Sequence, residues 1–132
     1  MNSVKPIFVP FASHFKLSSS LFPSTKEENE YMSRIPYANA VGGLMYAMAS
    51  TRPDISHAVG VVSRYMANPG KEHWATVKWV LWYLRGTNDY CVTYSNGCKL
   101  VCGYVDSDFA GDLDKRMSTS GYVFTLASGA IS

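Results

Sequence analysis

The sequence predicts an α+β protein in which a helical bundle is followed by a partial antiparallel sheet. Two observations carry this. Apolar residues recur at helical spacing between Val41 and Leu84, and after Gly86 the apolar period changes from 3.6 to 2. A third observation concerns the start of the chain. Pro6, Pro10 and Pro23, with the run Ser18-Ser19-Ser20, suit neither a helix interior nor a central strand, so residues 1–24 read as an extended arm or linker. The organisation is therefore an arm over 1–24, helices over 25–86 and strands over 87–132.

Each element has a local reason. Thr25-Lys26-Glu27-Glu28 has the form of a capping box and predicts a short helix to about Ser33. Pro36 opens the next helix, where its missing N–H costs nothing, and Val41, Leu44, Met45 and Met48 follow at helical spacing. Gly42 and Gly43 each weaken that helix by roughly 1 kcal/mol against Ala, which suggests a close approach by another backbone. Thr51-Arg52-Pro53-Asp54 starts a third helix, with Ile55, Ala58, Val59, Val62 and Met66 as its apolar stripe and Asn68-Pro69-Gly70 as its end. A fourth runs from about Lys71 to Arg85 with Gly86 as a left-handed stop. Nine of the eleven residues from Trp74 to Leu84 are apolar, so this helix is buried on more than one side or covered by a partner. Within the bundle, Trp74, Val77, Leu81 and Leu84 are expected to pack on Ile55, Val59, Val62 and Met66.

Beyond Gly86, Tyr90-Cys91-Val92-Thr93-Tyr94 reads as a strand and Asn96-Gly97 as a two-residue hairpin turn. Leu100 to Val105 reads as a strand buried on both faces, 107–120 as a polar loop, and Gly121 to Leu126 as a third strand. Three strands without a covering layer make an incomplete sheet.

Composition excludes several classes. The chain has 132 residues, 47% apolar, 14% aromatic and 17% charged, enough for one domain or parts of two small ones and too aromatic for a disordered chain. No apolar window is long enough to span a membrane. The N-terminus lacks a continuous apolar core of a secretion signal, which favours an intracellular setting, cytoplasm or nucleus. Cys91, Cys98 and Cys102 are odd in number and have no C-x-x-C spacing, so they read as reduced thiols. From Arg52 to Gly86 five basic residues oppose two acidic ones, whereas Asp106, Asp108, Asp112 and Asp114 fall within nine positions. A mildly basic front ahead of an aspartate cluster suits a nucleic-acid site that holds metal ions, although charge runs also mark solvated loops.

Asp106 and Asp108 carry the candidate chemistry. They stand at the end of the strand expected to be most buried, and carboxylates two apart on an extended chain project to one side. Such a pair suits Mg2+, which favours carboxylate and water oxygens. The alternative is an Asp-rich turn satisfying its own backbone.

Several blocks sharpen these readings. They are His14-Phe15-Lys16-Leu17-Ser18, Tyr37 to Ala47, Thr51-Arg52-Pro53-Asp54-Ile55, Val61 to Met66, Asn68 to Trp74, Val77-Lys78-Trp79, Tyr83-Leu84-Arg85-Gly86-Thr87, Gly103 to Asp112 and Ser118 to Phe124. Their order over nearly the whole chain resembles the Pol polyprotein of plant copia-type LTR retrotransposons. The resemblance implies a helical thumb or connection region followed by the start of a ribonuclease H-like fold. It implies Mg2+ and an RNA–DNA hybrid as cofactor and substrate of the parent, and the remaining Pol chain as partner. Asp106 matches the first metal-binding aspartate of the ribonuclease H strand, with Asp108 a weaker candidate ligand. Lys78, Arg85, Lys115 and Arg116 are then the candidate nucleic-acid contacts. Further acids that the family needs for ribonuclease H lie downstream of the motifs present here, so the chain alone is expected to be inactive. Tyr104-Val105-Asp106-Ser107 is not the polymerase Y-x-D-D motif, because Ser107 takes its fourth place.

Two departures remove positive charge. Trp82 stands where the family commonly has Arg, and Met117 where Lys or Arg is common. The same Trp82 breaks the Arg-x-Leu-Arg string by which some relatives have been labelled secreted RxLR effectors, leaving Trp82-Tyr83-Leu84-Arg85. The alternatives to a Pol remnant are a non-catalytic nucleic-acid-binding or host-retained interaction fragment, an RxLR-effector-like protein, or a pseudogene product.

Overall fold

The structure, a computed structural model, describes residues 7–91, 101–107, 110–126 and 129–130. It divides into two compact units, Met1–Asn88 and Asp89–Ser132. Helices make up the first and an antiparallel sheet the second, so the α+β class is observed.

The helices of the first unit begin where local chemistry permits. Helix α1, Lys26–Ser33, is capped by Thr25, whose Oγ1 accepts from the Glu28 N–H at 3.2 Å. Glu28 reaches back one residue further than a standard box, to the Ser24 N–H. Helix α2, Tyr37–Ser50, follows Pro36 at its cap and buries Tyr37, Val41 and Leu44. The close backbone approach expected at Gly42 and Gly43 is not found among the described residues: a Cβ on either would meet nothing within 4 Å. The third helix is divided into a 3-10 turn, Pro53–Ile55, and helix α3, Ser56–Ser63. Ile55, Ala58, Val59 and Val62 are buried as expected. Met66 is 37% exposed instead, because α3 ends at Ser63 and the turn after it sends Tyr65 inward.

Helix α4, Lys71–Gly86, is the longest element. Its buried face is His73, Thr76, Val77, Val80 and Tyr83. Leu81, expected in the bundle, is 40% exposed, and Trp82 is 44% exposed. A nearly all-apolar stretch does not select its own inward face. Here the His73 ring stacks on Tyr65 and the Tyr83 hydroxyl reaches Asp54, contacts to other elements that hold this face inward. Gly86 is also not a left-handed stop. No described glycine has a positive φ, and Thr87 takes the cap position.

The segment read as an arm is a strap laid over the helices. Leu17 and Ala12 are buried, the Tyr65 hydroxyl donates to the Leu17 carbonyl at 3.1 Å, and Trp79 Nε1 donates to the Val9 carbonyl at 3.0 Å. Gly70 is where the strap presses closest. A Cβ there would lie 2.0 Å from the Leu21 carbonyl oxygen. In the core, the Tyr37 hydroxyl donates to the Val62 carbonyl at 2.8 Å, and burial pushes its pKa far above the ordinary tyrosine value.

In the second unit, strands β1 (Cys102–Ser107), β2 (Ser120–Leu126) and β3 (Gly129–Ala130) pair antiparallel in the order β1-β2-β3. Tyr104 faces Val123, Val105 faces Tyr122, and Asp106 faces Gly121. The expectation of a doubly buried strand is overturned. Every residue of β1 is exposed, Val105 to 82%, because the described residues of this unit form a single layer with nothing packed on either face. Tyr90 and Cys91 of the first expected strand are irregular. The remainder of that strand, the Asn96-Gly97 turn and Cys98 lie outside the described residues. Cys91 and Cys102 are free and exposed thiols.

Candidate functional site

Asp106 occupies the penultimate position of β1 and is exposed rather than buried. Its Oδ1 accepts from the Ser107 N–H at 2.8 Å. Asp106 is therefore not the carboxylate at the end of a buried strand that the sequence predicts. Asp108 lies outside the described residues.

Asp112 behaves differently. It is 5% exposed, and its Oδ1 accepts from the N–H groups of Asp114 at 3.0 Å and Lys115 at 3.1 Å. Its carbonyl accepts from the Arg116 N–H at 2.8 Å and its own N–H donates to the Met117 carbonyl at 3.1 Å. At this residue the Asp-rich turn that satisfies its own backbone is observed. The same bonds hold Arg116 at a φ of 55°, a left-handed conformation that costs a non-glycine residue roughly 1–2 kcal/mol. Lys115 and Arg116 sit exposed on this turn. Among the described residues no three His, Cys, Asp or Glu side chains come together as a metal cage. Asp106 would supply one carboxylate to such a site, and Mg2+ is ordinarily held by one or two carboxylates together with waters and substrate phosphates.

On the first unit, Lys78 and Arg85 lie seven positions apart on α4, with Trp82 between them, so the three share one face. Lys78 is half-buried and Arg85 exposed. One of the three is therefore aromatic where the resemblance implied a run of cations.

A polar cluster on the first unit was not anticipated from the residues. The Arg52 guanidinium grips Asp54 in a fork, Nε to Oδ1 at 2.9 Å and Nη2 to Oδ2 at 2.7 Å. The Tyr83 hydroxyl donates to the same Oδ2 at 2.7 Å, and Arg52 lies over the Tyr83 ring, 5.4 Å from its centroid. Arg52 Nη2 also donates to Thr87 Oγ1 at 2.7 Å. The cluster joins two of the sequence blocks, Thr51 to Ile55 and Tyr83 to Thr87. Their co-occurrence was the signal in the sequence, but nothing in their spacing placed them side by side.

Hydrogen bonds from Arg52 hold the Asp54 carboxyl below the ordinary aspartate range, and burial, with the bond to Asp54, raises the Tyr83 hydroxyl. A lowered Asp pKa means the unfolded chain binds its proton first on acidification. The stabilisation from Asp54 is then complete above about pH 4 and is lost as pH falls through the depressed folded value. Acid titration of the helical unit by circular dichroism should show this loss, and Asp54→Asn should flatten that part of the curve while lowering stability at neutral pH. An unchanged acid limb in Asp54→Asn would remove Asp54 from the account.

Among the described residues, no helix is long and apolar enough to cross a membrane. No protein-family model matches the chain, and no solved structure does. Curated relatives do. The chain is 54% identical, over 132 residues and all of its length, to the "Retrovirus-related Pol polyprotein from transposon TNT 1-94" of Nicotiana tabacum. It is 38% identical over its whole length to the "Retrovirus-related Pol polyprotein from transposon RE2" of Arabidopsis thaliana. It spans 10% of the first of these and 9% of the second. It is also 45% identical over 102 residues, 76% of this chain and 72% of the relative, to "Secreted RxLR effector protein 161" of Plasmopara viticola. With several transposon proteins aligned end to end on it, the chain is of retrotransposon type. It belongs to the Pol polyproteins of copia-type elements.

Proposed function

We propose that the chain is a non-catalytic segment of a retrotransposon Pol polyprotein, a helical thumb or connection body that leads into the opening strands of a ribonuclease H-like domain. The observation that carries this is the alignment of the whole chain with Pol polyproteins, together with the position of Asp106 near the end of β1, antiparallel to β2. In this reading the parent polyprotein performs RNA-directed DNA synthesis and hydrolyses the RNA strand of an RNA–DNA hybrid with Mg2+. Lys78, Arg85, Lys115 and Arg116 contribute phosphate contacts, and the remaining Pol chain is the partner.

The 132 residues alone do not cut a hybrid. Two-metal hydrolysis needs carboxylates from several elements, and losing part of a set that acts together forfeits nearly all of the rate. Asp106 is exposed and Asp112 is engaged with its own turn. The test is incubation of the purified chain with a labelled RNA–DNA hybrid and Mg2+. No cleavage above the no-protein control is expected, and cleavage that disappears in Asp106→Asn would refute the reading.

An effector reading has the Plasmopara viticola relative in its favour. Against it, Trp82 breaks the Arg-x-Leu-Arg string, and the stretch is the last turn of α4 with Tyr83 turned into the interior.

A further inference from the structure

A helix ends with four carbonyls that have no partner in the helix, and its C-terminus carries partial negative charge. Sequence normally solves this locally, with a left-handed glycine. Gly86 is in place for that role and does not take it. The end of α4 is closed instead by Thr87 and by Arg52, thirty-five positions upstream. The Thr87 N–H donates to the Leu84 carbonyl at 3.3 Å and its Oγ1 donates to the Tyr83 carbonyl at 2.8 Å. Arg52 then donates from Nη2 to Thr87 Oγ1 at 2.7 Å and from Nη1 to the Thr87 carbonyl at 3.4 Å. Asp54 holds the guanidinium in this pose, and Tyr83 holds Asp54. Thr87 is buried, and the helical unit ends one residue later at Asn88.

We infer that Arg52, Asp54, Tyr83 and Thr87 form a tertiary lock that sets where α4 stops and thereby where the connection to the second unit begins. Arg52 brings a cation to the helix terminus and donates to the Thr87 carbonyl, while Thr87 closes the Leu84 and Tyr83 carbonyls, groups that a left-handed glycine would otherwise leave to the local backbone. With the lock open, the final turn has no stop of its own, so Tyr83 to Thr87 frays while the turns packed on α2 and α3 stay closed. The lock is a conformational device of the helical unit, and it does not depend on the Pol reading.

The test uses the full chain with Arg52→Gln and, separately, Thr87→Val, which keeps the size of the side chain and removes the hydroxyl. Trypsin cleavage after Arg85 and amide hydrogen exchange along α4 are measured for each against wild type. The lock predicts that cleavage after Arg85, and exchange at Leu84 to Thr87, accelerate roughly ten- to hundredfold, the factor carried by one or two buried hydrogen bonds. Exchange at Val77 and Val80 should be unchanged. Cleavage and exchange at wild-type rates in Thr87→Val would overturn the inference. So would an acceleration spread evenly over α4, which would mark the cluster as ordinary packing.

Discussion

Replacing Gly70 by alanine should lower the stability of the helical unit by about 2–3 kcal/mol, the range of an overpacked site. The cost is one of space. Gly70 has a φ of −97°, which any residue adopts, so no backbone strain is added. But the new methyl would stand 2.0 Å from the Leu21 carbonyl oxygen, a backbone atom in the 3-10 turn Ser19–Leu21. Either that turn lifts away from α4 or the helix start moves. The start is held by the Gly70 N–H donating to His73 Nδ1 at 2.8 Å, and the His73 ring is buried and stacked on Tyr65 at 4.2 Å. Moving Gly70 therefore disturbs the core as well as the strap. For a unit of this size the expected fall in Tm is roughly 10–20 °C. A melt within a degree or two of wild type would mean that the strap is not seated on α4.

Ile55→Ala should cost more, about 2–5 kcal/mol, because it empties a site with no solvent access. Ile55 lies at the end of the 3-10 turn Pro53–Ile55, in one buried cluster with Val41, Leu44, Val59, Val62, Val77 and Val80. A short turn anchored by proline at its first position has little freedom to refill the hole. All three tryptophans, Trp74, Trp79 and Trp82, are on α4, so tryptophan fluorescence, excited where tyrosine does not absorb, reports the helical unit. Urea unfolding followed by fluorescence should therefore show the full loss. A change below about 1 kcal/mol would show that Ile55 is not part of a packed core.

Much of the helical unit was legible in the residues, and the reasons are specific. The capping box at Thr25, the proline at Pro53 and the stripe Ile55, Ala58, Val59 and Val62 each act over one or two turns, and each was found where expected. Errors came where tertiary contacts decided. Apolarity alone points Leu81 and Met66 inward, but the contacts of His73 with Tyr65 and of Tyr83 with Asp54 hold another face of α4 inward, and the end of α3 releases Met66. Glycine is the local solution to a helix end, so Gly86 predicts a stop, whereas Arg52 reaches the helix end from a distant segment. The prolines predict an extended arm or linker, and in the structure its carbonyls accept from Tyr65 and Trp79 on the helical body. In the sheet, continuous apolarity predicts burial on both faces, and the described strand is exposed. The candidate site was legible only as residue types. Asp106 lies at a strand end as expected, but its exposure and the engagement of Asp112 with its own turn depend on geometry that no spacing encodes.

Among the described residues the helical body is the packed part, and the sheet bearing Asp106 has open faces. Amide hydrogen exchange of the full chain measures both at once. The buried positions of 55–83 should exchange through cooperative unfolding of the helical unit, whereas 102–107 and 120–126 should exchange orders of magnitude faster, through local opening. Equal protection of the helices and of β1 and β2 would contradict the account. It would mean that the strand carrying Asp106 belongs to a closed and fully covered domain.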